Sequence, residues 1–115
     1  MRSGTGACGL YAAGIGASRV ILTDSGEEPV LNQLLARNVD ANRHLLPSSI
    51  AEVRVAPLRW GDDAALNALC RPGGSQDGSD GFDLVLASDI TYHWTPHDDL
   101  AHTCACLMIS CEDAR

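Results

Sequence analysis

The chain has 115 residues, 45% of them hydrophobic but only 4% aromatic, enough for one modest core built from Leu, Val, Ile and Ala. A formal net charge of −7, no lysine at all and scattered arginines exclude the clustered cationic surface that a nucleic-acid backbone requires. No run nears the roughly 20 apolar residues of a membrane span. No charged segment leads into an apolar run as in a secretion signal, so Cys8, Cys70, Cys104, Cys106 and Cys111 read as free thiols of a reducing compartment, the cytoplasm or nucleus.

In chain order, residues 3–9 form a glycine-rich turn in which Gly4, Gly6 and Gly9 fit G-x-G-x-x-G. The Ala- and Gly-rich stretch to about residue 15 suits a short helix lying close against a sheet. Residues 19–24 (RVILTD) are a continuous apolar run ending in an acid, the pattern of a buried parallel strand. Residues 27–42 carry Val30, Leu31, Leu34, Leu35 and Val39 on one helical stripe, with Glu27 and Glu28 where the helix dipole favours them. Residues 52–58 alternate and read as a second strand, followed by a short helix or loop. Residues 71–81 are loop by composition. Residues 82–89 (FDLVLASD) read as a third strand, and the segment from 98 onward, with Leu100, Cys104, Leu107 and Met108, as a helix. This alternation implies an open α/β sheet of parallel strands. The glycine turn, Asp24, the residues after Leu58, and Ser88-Asp89 then gather at the carboxyl edge, where such sheets bind ligands.

Several groups at that edge could carry chemistry. The turn lets backbone approach a ligand and presents helix N–H groups to an anion, although a tight turn with close helix packing needs the same glycines. Asp24 could accept bonds from two ribose hydroxyls, or act as the N-cap of the next helical segment. At this point NAD and S-adenosylmethionine fit equally well. Trp60 could pack on an adenine or lie in the core under a loop. Asp89 could hold an amine with Tyr92 beside it, or be a turn cap next to a half-buried aromatic. His93, His97, His102, Cys104 and Cys106 lie close in sequence. With no C-x-x-C pair among them, we expect no metal.

Together these residues resemble one family. Ser3-Gly4-Thr5-Gly6 with Gly9-Leu10, Leu22-Thr23-Asp24, Leu34 with Asn38 and Asn42, Leu58-Arg59-Trp60-Gly61, and Phe82 to Asp89 with Tyr92 make the chain similar to the seven-β-strand, class I S-adenosylmethionine-dependent protein-lysine methyltransferases. The D-x-x-Y element, Asp89 to Tyr92, is the most specific of these markers. The resemblance implies a Rossmann-like fold and S-adenosylmethionine as cofactor, with Ser3, Gly4 and Gly6 at its methionine portion, Asp24 at the ribose, and Trp60 and Ala87 at the adenine. Asp89 and Tyr92 would be catalytic, at the entry of a protein substrate's lysine, with no nucleic acid or membrane partner. A nicotinamide-dinucleotide domain would leave Trp60 and D-x-x-Y without a role. A non-catalytic interaction module or degenerate copy on the same half-fold is the other alternative.

The chain departs from the family at both ends. The family opens with a strand ending in an acid, Leu and Gly, and Met1 and Arg2 stand at the last two of those positions. We therefore expect a single partial methyltransferase domain, residues 1–115, lacking the first strand and the C-terminal strands. It would be a monomer once completed by them and possess poor cofactor affinity alone. The strands ending at Asp24 and Asp89 should flank the missing one, either pairing with each other or leaving a slot.

Overall fold

A computed structural model describes residues 3–26, 29–50, 52–70 and 81–108. They fall into two compact units, one of residues 1–58 with 86–90, the other of residues 59–85 with 91–115.

The first unit begins with helix α1, Ala7–Gly14, then strand β1, Arg19–Asp24. A helical stretch comes next. It opens in wide, i→i+5 turns over Pro29–Leu35, continues as α2, Ala36–Asn42, and closes in a 3₁₀ turn, Arg43–Leu45. Strand β2, Glu52–Pro57, pairs in parallel with β1, in register from Arg19↔Glu52 to Asp24↔Pro57. The helical crossover between two parallel neighbours is the βαβ arrangement that the alternating pattern implies. Val20, Leu22, Leu31, Leu35, Val39, Val53 and Ala13 form the core. The predicted stripe is thus buried at Leu31, Leu35 and Val39, whereas Leu34 is 37% exposed. The wide turns at the start of the helix rotate it away from the 3.6-residue period. Glu27, Glu28 and the side chain of Val30 lie outside the described residues.

Helix α1 packs unusually close to β1. A Cβ on Gly6 would stand 2.8 Å from Leu22 Cδ2 and 3.1 Å from Leu35 Cδ2, and one on Gly9 3.0 Å from Leu22 Cδ2. Gly6 also has φ of +83°, the left-handed region that L-residues enter at a cost.

The second unit contains α3, Asp63–Cys70, and α4, His97–Leu107. Leu66, Leu69 and Cys70 of α3 and Leu100, Thr103 and Leu107 of α4 are buried. Asp62 caps α3 by accepting the Ala65 N–H at 3.0 Å. The predicted third strand does not form. Residues 82–89 make one parallel bridge, Phe82↔Met108, and Leu84 and Leu86 are 65% and 51% exposed. A buried strand exists only through a neighbour's hydrogen bonds. Among the described residues β1 and β2 pair with each other, and no strand lies beside 84–88. The expected alternative of β1 pairing with 82–89 is likewise not observed. Within the predicted loop, residues 71–80 lie outside the described residues. No described helix is long and apolar enough to cross a membrane.

The glycine contacts give a sharp contrast. Gly6→Ala should lower the unfolding free energy by about 2 kcal/mol or more, combining left-handed strain with overlap on Leu22. Gly14→Ala, whose Cβ meets nothing within 4 Å in α1, should raise it by roughly 0.5–1 kcal/mol. Urea unfolding of the two variants checks both signs.

Candidate functional site

The site is anchored where the glycine turn meets the end of β1. In a parallel strand successive residues present their N–H and C=O to opposite edges. Asp24 C=O accepts the Leu58 N–H at 2.7 Å on the β2 side. Thr23 therefore faces the other edge, and Ser3 takes both of its groups. The Ser3 N–H donates to Thr23 C=O at 3.1 Å, and Ser3 Oγ accepts the Thr23 N–H at 2.9 Å. The chain then reverses in a turn closed by the Gly6 N–H on Ser3 C=O at 2.8 Å, with Gly4 at φ +53° in its first central position. A Cβ on Gly4 would meet nothing within 4 Å, so this side of the turn is open.

Asn38 holds the turn from the opposite direction. Its Nδ2 donates to Thr5 C=O at 2.8 Å, and Asn42 Nδ2 donates to Asn38 C=O at 2.8 Å. The sequence marks both asparagines but offers no role for them. Their i, i+4 spacing on α2 was the available clue.

Asp24 is 5% exposed at the tip of β1. Its Oδ1 accepts the Ser25 N–H at 2.8 Å and the Ser25 hydroxyl at 3.3 Å. Among the described residues its Oδ2 has no partner. The cap and the ligand-binding readings of Asp24 are thus divided between its two oxygens.

Ala87 and Asp89 belong to the same unit, exposed on an irregular segment rather than at a strand end. Asp89 has φ of +54° and is the one non-glycine residue with positive φ among the described residues. Asp tolerates this region better than most residues.

Trp60 and Tyr92 belong to the second unit. Trp60 occupies the first central position of a turn closed by the Asp62 N–H on Arg59 C=O at 3.2 Å, with Gly61 at φ +77° in the second. Thr103, fully buried on α4, accepts the Gly61 N–H at 2.9 Å. A Cβ on Gly61 would stand 3.0 Å from Asp99 Cγ. The Trp60 indole Nε1 is buried without a hydrogen-bond partner among the described residues, a group that ordinarily finds one. The half-buried Tyr92 is fixed by Thr95 in a reciprocal pair: its N–H donates to Thr95 Oγ1 at 2.8 Å, and the Thr95 N–H donates to Tyr92 C=O at 3.0 Å. The Tyr92 ring stacks on Trp94 with centroids 4.9 Å apart and planes at 1°. Among the described residues no group of three or more His, Cys, Asp and Glu side chains is arranged to hold a metal ion.

Comparison with known proteins agrees with this architecture. The family described as lysine methyltransferase matches residues 1–111. The chain is 30% identical over 91 residues to the protein N-terminal and lysine N-methyltransferase efm7 of Aspergillus fumigatus, covering 79% of this chain and 33% of that protein. It is 27% identical over 95 residues to the protein of the same name from Emericella nidulans, covering 82% of this chain and 36% of that one. The chain therefore spans about a third of the length of these curated relatives. No solved structure matches it.

The Ser3 clamp makes its own prediction. Ser3→Ala strips the part-buried Thr23 N–H of its acceptor and should cost about 1–3 kcal/mol. It should also raise the hydrogen-exchange rate of the Thr23 amide, read by NMR, while Ser3→Thr, which keeps the hydroxyl, should not.

Proposed function

The chain belongs to the lysine methyltransferase family, and from that premise we propose that it supplies the S-adenosylmethionine-binding portion of a protein-lysine N-methyltransferase. The observation that carries this reading is the divided carboxylate of Asp24. One oxygen is occupied by Ser25, and the other is left over at a nearly buried strand tip beside an open glycine turn. A carboxylate oxygen so placed suits a ribose diol.

Other features of the chain fit the same group. The first N–H groups of α1 have no carbonyl one turn back within the helix, and no side chain caps them. With the open face of Gly4, they suit the anionic end of an amino-acid moiety. The buried, unpartnered Trp60 Nε1–H suits a purine nitrogen as acceptor. When bound, the cofactor supplies a methyl group on a positively charged sulfur.

The chain's own residues have the task of presenting a neutral amine in line with that methyl. Asp89 accepts an N–H of the incoming amine, and its carboxylate balances the charge that develops on nitrogen as the new bond forms. Tyr92, whose backbone is pinned by Thr95, is the aromatic that the family resemblance assigns to the substrate side. The names of these relatives cover protein N-termini as well as lysine. Both acceptors are primary amines, and D-x-x-Y would serve either. The lysine reading follows the family.

Two measurements test the reading. Asp24→Ala should weaken S-adenosylhomocysteine binding by about 1.5–3 kcal/mol in calorimetry, the range for hydrogen bonds to a charged group, with the melting temperature almost unchanged. Unchanged affinity with a lower melting temperature would reduce Asp24 to a cap for Ser25, and NAD binding in place of S-adenosylhomocysteine would overturn the reading altogether. Asp89→Asn keeps a residue that tolerates positive φ and removes the charge. It should leave the melting temperature and S-adenosylhomocysteine affinity intact while lowering methyl transfer to a lysine peptide by about 100-fold or more.

A further inference from the structure

The edge of β2 that faces away from β1 has no part in the site described above. The Glu52 N–H donates to Ser18 C=O at 3.2 Å, and the Leu58 N–H donates to Asp24 C=O at 2.7 Å. Backbone groups alternate along a strand, so Glu52, Arg54 and Ala56 turn theirs toward β1, and Val53, Val55 and Pro57 turn theirs to the outer edge. Among the described residues β1 is the one strand paired with β2. An outer row of this kind is a template for a further strand. Pro57 ends the row without an N–H, as suits a residue at a sheet edge.

The side chains along this edge say what kind of strand fits. The edge borders a groove of about 280 Å³, lined by Leu31, Ala36 and Val39 of the crossover and by Val53 and Val55 of β2. Glu52 and Arg54 share one face of β2 and form a half-buried ion pair, Arg54 Nε 2.6 Å from Glu52 Oε1. Asp40 and Arg43 form a second pair on the helix side, 3.6 Å apart. Both signs are thus present in equal number, and neither an acidic nor a basic peptide is favoured. A fixed order of both signs is complemented by the same surface turned through a two-fold axis.

A two-fold axis makes the added strand antiparallel, and the side chains choose its register. Centred on Arg54, the pairing would set Arg54 against Arg54 of the second copy, like charge on like. Centred on Val55, it would set Val53 against Pro57, which has no N–H to give. Centred on Val53, the two Val53 residues exchange both backbone hydrogen bonds. Each Glu52 then lies opposite Arg54 of the second copy in a non-hydrogen-bonded pair, where side chains approach most closely. We propose that the chain dimerises through the outer edge of β2, antiparallel about Val53, to give a continuous four-stranded sheet. A dimer built this way departs from the monomer expected from the sequence.

Charge reversal tests both the partner and the register. Sedimentation of the whole chain should show a reversible dimer. Glu52→Arg and Arg54→Glu each set like charges opposite one another, and each should weaken dimerisation by about tenfold or more. Mixed together, the two variants should form a heterodimer with nearly wild-type affinity, because one chain then supplies arginine at both positions and the other glutamate. Native mass spectrometry with one variant isotope-labelled reads this species. The ion pair within each chain is lost in both variants and is not restored by mixing, so the rescue reports the contact between chains. Hydrogen exchange of the wild-type Val53 amide, which needs no variant, should slow as protein concentration rises. A wild-type chain that stays monomeric at about 0.1 mM, folded single variants that dimerise like the wild type, a mixture of folded variants that stays monomeric, or a Val53 amide indifferent to concentration overturns the proposal.

Discussion

The arrangement of the first unit depends on how closely α1 approaches β1. Leu22 projects from the strand into the space that side chains on Gly6 and Gly9 would otherwise fill. That contact brings the start of α1 down onto the strand, which in turn fixes where the preceding turn runs. Once the turn is there, Ser3 lies beside Thr23 and takes both of its backbone groups. The open face of Gly4 and the free oxygen of Asp24 then fall at one end of the sheet. Leu35, reaching the same glycine from the crossover helix, ties α2 into the contact and brings Asn38 within reach of the turn's carbonyl. Two glycines with a packing role thus position a third with an open one.

Much of this was legible in the residue pattern. The apolar runs at 19–24 and 52–57 are strands, the order of helices follows the alternation, and the acid at the end of the first run is at the tip of β1. These features depend on local composition and on the short range of a βαβ unit. The third apolar run did not follow the same rule. Residues 82–89 have the composition of a buried strand, but composition records the environment a segment is suited to, and a ladder also needs a partner. Leu34 was misplaced for a different reason: a 3.6-residue stripe is not the right ruler for a helix that begins in wide turns. The roles of Asn38 and Thr103 were invisible because each depends on a side chain meeting the backbone of a distant segment, and that of Thr95 because its partner three residues back is fixed only by the turn they share.

The second unit repeats the theme with different chemistry. Buried threonines, which are uncommon in an apolar core, serve as fixed points for turns. Thr103 receives the backbone of Gly61, and Thr95 receives that of Tyr92. Each satisfies its own hydroxyl while deciding the path of a loop that carries an aromatic residue. The two aromatics the family resemblance assigns to cofactor and substrate are therefore positioned through backbone bonds of their own turns, and the buried Trp60 nitrogen keeps its donor unspent among the described residues.

The left-handed backbone at Asp89 has a consequence for inheritance. Asn and Gly tolerate that conformation, and both are reached from an Asp codon by a single transition. The changes that the backbone accepts most readily are thus also the easiest ones to acquire, and each removes the carboxylate. Such an allele would yield a protein that folds, persists and passes the chaperones and proteases that clear misfolded chains. On the role proposed for Asp89, its defect would be chemical alone, so cellular abundance would carry no trace of it.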